Sequence, residues 1–293
     1  MLYRLTSTTV ASVLLAWVTS GCAFDPSGVG SDTLIDAASQ GDMDATSSLD
    51  LDAASMADAP VPMNPPVGQW TFNAGQELID IRGNFPDLVL NGSAMVTGGQ
   101  LDTDGSGTSA TGWAVTGENP GLYSGPPIVD KTLVSWITLE QLGSDDGVSQ
   151  GSAITIDRES GDHFDGIIFG EREEDRWMSG SSNFNRTDDF DPGFRETTTG
   201  IEIMLTITYD DLDDMPGGPM DITGYRNGVV MGSYSSDAGS SWSPADAEIF
   251  FGIRHGTKGG GPGALDALVN EARIYDNVLS ADDIEALMSR GAE

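Results

Sequence analysis

The sequence predicts an all-β fold: a two-sheet antiparallel β-sandwich closed by one short C-terminal helix and preceded by a disordered N-terminal linker. Three observations predict it. Short segments with period-two alternation recur along the second half of the chain. The 38 glycines follow no collagen period and fall between those segments, where tight turns are needed. Helical spacing with a capping signal occurs in one place, at the C-terminus. Composition shifts near Val67, which sets the folded domain at 67–293, long enough to bury a sizeable core.

The elements follow in order. Leu133, Ser135, Ile137 and Leu139 alternate with Val134, Trp136 and Thr138. Bulk on both faces predicts a central strand covered on both sides. Ile154 and Ile156 mark another strand, as do Ile167, Ile168 and Phe169. Ile201, Ile203, Leu205, Ile207 and Tyr209 alternate with Glu202, Met204, Thr206 and Thr208, which predicts one core face and one face toward solvent or a groove. Tyr225-Arg226-Asn227-Gly228-Val229-Val230 reads as a hairpin, because Asn-Gly supplies both positive-φ positions of a type I′ turn. Residues 249–253 and 269–275 read as late core strands. Ser280 then caps a helix, with Asp283 three residues on, Leu279 and Ile284 as a hydrophobic staple, and Ile284, Leu287 and Met288 on one apolar face.

The formal charge is −33. Residues 23–66 hold eight Asp and no base, so the domain keeps 38 acids against 12 bases, or −26. Such a field repels nucleic acid and anionic headgroups and is compatible with neutral sugars, cations or basic proteins. The plain reading is a solubilising surface.

Cys22 is the single cysteine, so the chain forms no internal disulfide. Before it come Arg4 and an apolar run from Val10 to Val18, too short to span a bilayer as a helix and fitting a signal-peptide core. Thr19-Ser20-Gly21-Cys22 resembles a bacterial lipobox, with Thr19 where that motif usually has Leu. The resemblance implies a signal peptide at 1–21, a lipidated Cys22 and a cell-envelope location. Ala23, rather than Asp, leans toward the outer membrane and cell surface. Lipid chains contribute ~0.8 kcal/mol per buried CH₂ and would be the chain's sole membrane contact. Residues 22–66, acidic and rich in Asp, Ser, Ala and Pro, read as a disordered tether spanning ~35–40 Å.

Within the domain, Gln69-Trp70-Thr71-Phe72, the Asp80-to-Asn84 turn and Asp87-Leu88-Val89-Leu90-Asn91-Gly92 resemble the opening of LamG-like jelly rolls. The Trp136 strand, the Tyr225–Gly228 hairpin and Asn270-Glu271-Ala272-Arg273-Ile274-Tyr275 resemble later parts of the same family. Residues 164–171, 176–181 and 251–256 are similar to blocks of the concanavalin A-like domain of large planctomycete multidomain proteins. The cytochrome-type C-x-x-C-H motif of those proteins does not occur here. The resemblance covers 67–290. It implies a jelly roll, often binding glycan or protein and often holding Ca²⁺.

Chemistry finds less support. Glycosidases on this fold carry an E-x-D-x-x-E strand with acid and nucleophile on one face, and that pattern is missing. Glu202 stands alone on its strand face, and Glu171, Glu173 and Glu174 share a stretch with Arg172, Asp175 and Arg176 as in a charged loop or edge. No G-x-S-x-G or H-E-x-x-H occurs. His163 reads as a surface-loop residue, and His255 leads into a glycine-rich connection. No catalytic residue is assigned.

For a cation, Asp102-Thr103-Asp104-Gly105-Ser106-Gly107 fits the first half of an EF-hand-like loop, but its twelfth position is Trp113, so Asp102 and Asp104 equally describe an Asp/Gly turn. The family resemblance places an acid where Asn270 stands, and another just after W-x-F, where Asn73 stands. Both departures remove negative charge from a Ca²⁺ site. For sugar, the need is an exposed aromatic platform beside hydrogen-bonding groups. Trp113, Trp177, Trp242 and His255 are the candidates; Trp70 and Trp136 are assigned to the core.

The reading is a surface-tethered, non-catalytic binding module with an extracellular glycan as ligand. The alternatives are an adhesive or structural envelope protein that binds other proteins, and a divergent polysaccharide hydrolase or lyase needing two carboxylates, or a histidine with one, in a single cleft.

Overall fold

The computed structural model describes residues 63–103, 112–117, 123–143, 149–158, 163–213, 217–256 and 265–293. The signal peptide, Cys22, Asp104 and all of the expected tether before Met63 lie outside the described residues.

Among the described residues fourteen strands, numbered in chain order, form two antiparallel sheets. The eight-stranded sheet runs β12 (Val229–Ser236), β11 (Met220–Arg226), β10 (Glu202–Asp211), β6 (Lys131–Leu139), β14 (Ala267–Tyr275), β4 (Gln100–Asp102), β3 (Met95–Thr97). β1 (Gly68–Trp70) also pairs with β14. The six-stranded sheet runs β2 (Leu88–Asn91), β5 (Trp113–Thr116), β13 (Ala247–Phe251), β7 (Gly151–Arg158), β8 (Phe164–Phe169), β9 (Trp177–Ser181). The one α-helix described, α1 (Ala281–Arg290), closes the chain.

Alternation dictates the core. Leu133, Ile137, Ile203, Leu205 and Ile207 of the larger sheet meet Ile154, Ile156, Ile167, Phe169, Ile249 and Phe251 of the smaller, together with Trp70 and Phe72. Each such side chain contributes ~1.5–3 kcal/mol on burial. The opposite face of the larger sheet is covered too. Val134, Trp136, Met204 and Tyr275 pack under Leu279, Ile284 and Leu287 of the helical segment. β6 is thus the doubly covered strand its sequence predicts.

β10 departs from expectation. Its second face was expected to meet solvent or a groove, yet Met204, Thr206 and Thr208 are buried. Met204 lies in the cluster under α1, a packing partner some 80 residues away in sequence. Ile201, expected on the core face, is exposed, because it precedes the strand.

Local signals hold where the chemistry is local. Asn227 and Gly228 take φ of 50° and 77° in the two-residue turn between β11 and β12. The Asn227 side chain also accepts the Met204 N–H at 2.8 Å, tying the hairpin to β10. Ser280 and Asp283 form the reciprocal capping box at the start of α1. The Asp80 turn has a plain physical basis. One carboxylate accepts four backbone N–H groups, from Gln69, Arg82, Asn84 and Phe85, at 2.8–3.0 Å.

Candidate functional site

The 20 residues between β9 and β10 have too few apolar side chains to form a layer of their own, so they are held from outside. Gly193 donates its N–H to Met231 O at 3.1 Å, and Glu196 donates to Asp175 O at 2.8 Å. Arg176 and Arg195 form an isolated β-bridge. Phe190 drops into the core. It fits because β11 and β12 carry Gly224 and Gly232 there: a Cβ on Gly224 would stand 2.6 Å from the Phe190 ring, and one on Gly232 2.7 Å from Asp191 N.

Held this way, the segment walls a groove of about 250 Å³ at the β9 edge. Phe190, Pro192, Phe194 and Trp177 supply apolar lining. Glu173, Arg176, Asp189 and Asp191 supply the charged groups. Phe194 is 43% exposed. The Arg226 guanidinium covers its ring at 4.2 Å from the centroid. Arg226 is itself fixed by two bonds to Glu196, at 2.7 and 2.9 Å. The buried Glu196 carboxylate also accepts the Trp177 indole N–H at 3.0 Å. One carboxylate therefore locks a core tryptophan, a guanidinium and, through it, an exposed aromatic ring. Such a groove offers a flat apolar surface beside hydrogen-bonding groups.

The sequence candidates do not converge there. Trp177 lines the groove but is only 3% exposed, so it is floor and not platform. Trp242 is fully buried, which removes it as a stacking surface; it lies under Lys131 and against His163 instead. Trp113 is half-buried and stacks on Phe250 on the outward face of the smaller sheet. His255 is half-buried and stacks on Phe164, 4.5 Å between centroids. Trp113 and His255 thus lie apart from the groove-lining residues. Asp102 ends β4 and pairs in register with Leu268, two residues before Asn270. Asn270 sits at a bulge in β14, and its amide donates to Glu202 at 2.7 Å. Among the described residues no group of three or more His, Cys, Asp or Glu is arranged to hold a metal ion.

Two features escaped the sequence reading. In the β7–β13 register Asp157 stands opposite Glu248. Their neighbours Ile156 and Ile249 face the core, so both carboxylates project from the outward face, where opposed Cβ atoms lie ~4.5–5.5 Å apart. The other is an ion cluster inside the sandwich. Asp165 of β8 receives Lys131 Nζ at 3.0 Å, Arg186 Nε at 2.8 Å and the Ser240 hydroxyl. Lys131 and Asp165 are fully buried. The Lys131 ammonium also lies over the rings of Tyr209 and Trp242. Burial alone would raise the Asp165 carboxyl, but the two cations and the Ser240 bond outweigh it and hold it below the usual range. For Lys131, burial above all, with Arg186, prevails over Asp165 and Asp130 and lowers it. His163, beside Trp242, is pushed down to about 4 by burial and by Arg186 and Arg158.

No family model matches the chain, and no curated protein matches it. Solved structures do. The fold is that of known β-sandwich domains. Trypanosoma rangeli sialidase, solved as a covalent intermediate with 2,3-difluorosialic acid, is 16% identical over 78% of this chain and 33% of its own, with a TM-score of 0.50. A receptor-binding domain is 15% identical over 77% of this chain and 50% of its own, also at 0.50. Domain 4 of AbnA, a GH43 extracellular arabinanase from Geobacillus stearothermophilus solved with arabinotriose, is 17% identical over 75% of this chain and 97% of its own, at 0.49. The chain spans about a third of the sialidase and half of the receptor-binding structure. At these identities the likeness is one of fold.

Proposed function

We propose that the chain is a non-catalytic carbohydrate-binding module of the LamG-like, concanavalin A-like kind, held at the cell envelope by lipid on Cys22. The observation that carries the binding reading is the Phe194 ring. It is exposed at a groove of about 250 Å³ and fixed from below by Arg226 and Glu196. An exposed large apolar side chain held still, with carboxylates and a guanidinium beside it, suits the apolar face and equatorial hydroxyls of a sugar ring. Holding it still also lowers the ordering cost of binding. A glycan array probed with the full chain and with Phe194→Ala tests this. Loss of binding in the variant supports the groove as the site; equal binding rejects it. Envelope tethering is tested separately. Cys22→Ser should move the chain from the membrane fraction to the soluble fraction, and a chain that stays in the membrane refutes the lipid anchor.

A second reading, polysaccharide hydrolysis, is favoured by one observation, the Asp157–Glu248 pair. Two carboxylates opposite each other on one sheet face have the spacing an acid and nucleophile need, although both are largely buried, at 3% and 8% exposure. Release of reducing sugar that is abolished by Asp157→Asn and by Glu248→Gln, in folded variants, would establish it.

A further inference from the structure

We infer that the groove at the β9 edge discriminates against acidic sugars, so that its ligands are glycans of uncharged or amino-bearing residues and not of uronic or sialic acids. This rests on the binding reading above and adds the chemical class of the ligand.

The charges around the groove decide it. Arg176 is the one base among the lining residues, and it is already engaged: its Nε lies 2.5 Å from Glu173 and its Nη1 donates to Pro192 O at 3.3 Å. Arg172 stands 3.6 Å from both Asp188 and Asp189, so one guanidinium serves two carboxylates. Asp191 makes no ion pair with the described residues. Four carboxylates (173, 188, 189, 191) against two guanidinium groups (172, 176) leave two negative charges. The neighbouring groups do not reverse this. Arg226 is matched by Glu196 alone, and Arg195 faces both Glu174 and Asp175.

A sugar carboxylate stacked on Phe194 would share the groove with this excess, and the guanidinium nearest the ring, Arg226, is already held by Glu196. A like charge within a few ångströms costs about fivefold in affinity even at the dielectric of water. The domain as a whole, at −26 from 38 acids and 12 bases, slows the approach of the same ligands. An uncharged residue escapes both effects, and a glucosamine ammonium would gain from Asp191. Screening over ~8 Å at physiological ionic strength makes the discrimination salt-dependent.

The test compares two ligand pairs, each on its own backbone: an acid against its methyl ester, and an amine against its N-acetyl form. Binding of the full chain to oligogalacturonate, to its methyl ester, and to chitosan and chitin oligomers is measured by calorimetry at low and high salt. The expected result is binding of the ester at least about fivefold tighter than the acid at low salt, a gap that narrows at high salt, and chitosan at least equal to chitin. In Asp189→Asn/Asp191→Asn, checked for native folding by circular dichroism, the acid-to-ester affinity ratio should rise about fivefold. Acid bound as tightly as ester, or a ratio unmoved by the double variant, overturns the inference while the binding reading stands. No binding to any of these or to a broad neutral array removes both.

Discussion

Replacing Asp165 by Asn should be among the most damaging single-charge changes in the domain. The carboxylate is fully buried and is the shared anion of Lys131 and Arg186, at 3.0 and 2.8 Å. The amide keeps the volume and removes the charge, leaving two buried cations facing each other. Breaking one buried ion pair costs about 3–5 kcal/mol. With two cations stranded, the upper end applies, about 5 kcal/mol. A domain of this length loses about 2–4 °C of Tm per kcal/mol, so the melting point should fall by about 10–20 °C. The control is Asp246→Asn, which removes the same charge from a half-exposed partner of Arg158 at 3.4 Å and should cost less than about 1 kcal/mol. Urea titrations followed by circular dichroism give both values. The deficit of Asp165→Asn should also shrink toward alkaline pH, where Lys131, already lowered by burial, sheds its proton at less cost. A difference between the two variants below about 1 kcal/mol would falsify the view that this anion holds the sheets together.

His163 titrates near 4 in the folded protein and near 6.5 when unfolded. Between those values the unfolded chain binds more protons, so stability should fall as pH drops from 6.5 to 4, by about 2–3 kcal/mol after allowing for partial exposure. His163→Phe should flatten that limb of a pH–stability curve. Asp165, lowered in the fold, adds stability present above its unfolded pKa of about 3.9 and lost as pH falls through its folded value, so the two effects separate on the acid side. Gly224→Ala should expel Phe190 from the core, costing about 1–3 kcal/mol and weakening glycan binding together, since the ring would meet a Cβ at 2.6 Å. Glu196→Gln should free the Arg226–Phe194 stack, lowering stability by about 2 kcal/mol and sugar affinity with it; an unchanged affinity would separate the ring from its support.

Much of the fold was legible because its signals are local. The Asn227-Gly228 turn, the Ser280 capping box and the alternation of β6 each depend on residues close in sequence. The groove was not. Phe194 lies in a polar stretch with no periodicity, and its importance comes from Arg226 and Glu196, 32 and two residues away. Nor was the ion cluster. Nothing local to Asp165 marks it as buried, and only the pairing of β8 inside the sandwich turns it toward Lys131. Tryptophan misled for a related reason. A polar neighbourhood in sequence around Trp242 says nothing of the other sheet that closes over it. Asp157 and Glu248, 91 residues apart, become neighbours through register alone.

The three-residue strand β1 has a mechanical consequence. A pull on the chain's N-terminal side reaches the domain at Gly68–Trp70, which pairs antiparallel with Ile274–Ala272 of the central strand β14. Gln69 is held there by more than the ladder: its N–H enters the Asp80 carboxylate and its side-chain amide donates to the buried Glu271. Force would therefore load several bonds in parallel before the sandwich opened. Under the proposed binding reading, a ligand gripped near β9 and a load applied at β1 would be joined through the two packed sheets, so tension would be carried by the core and not by a single loop.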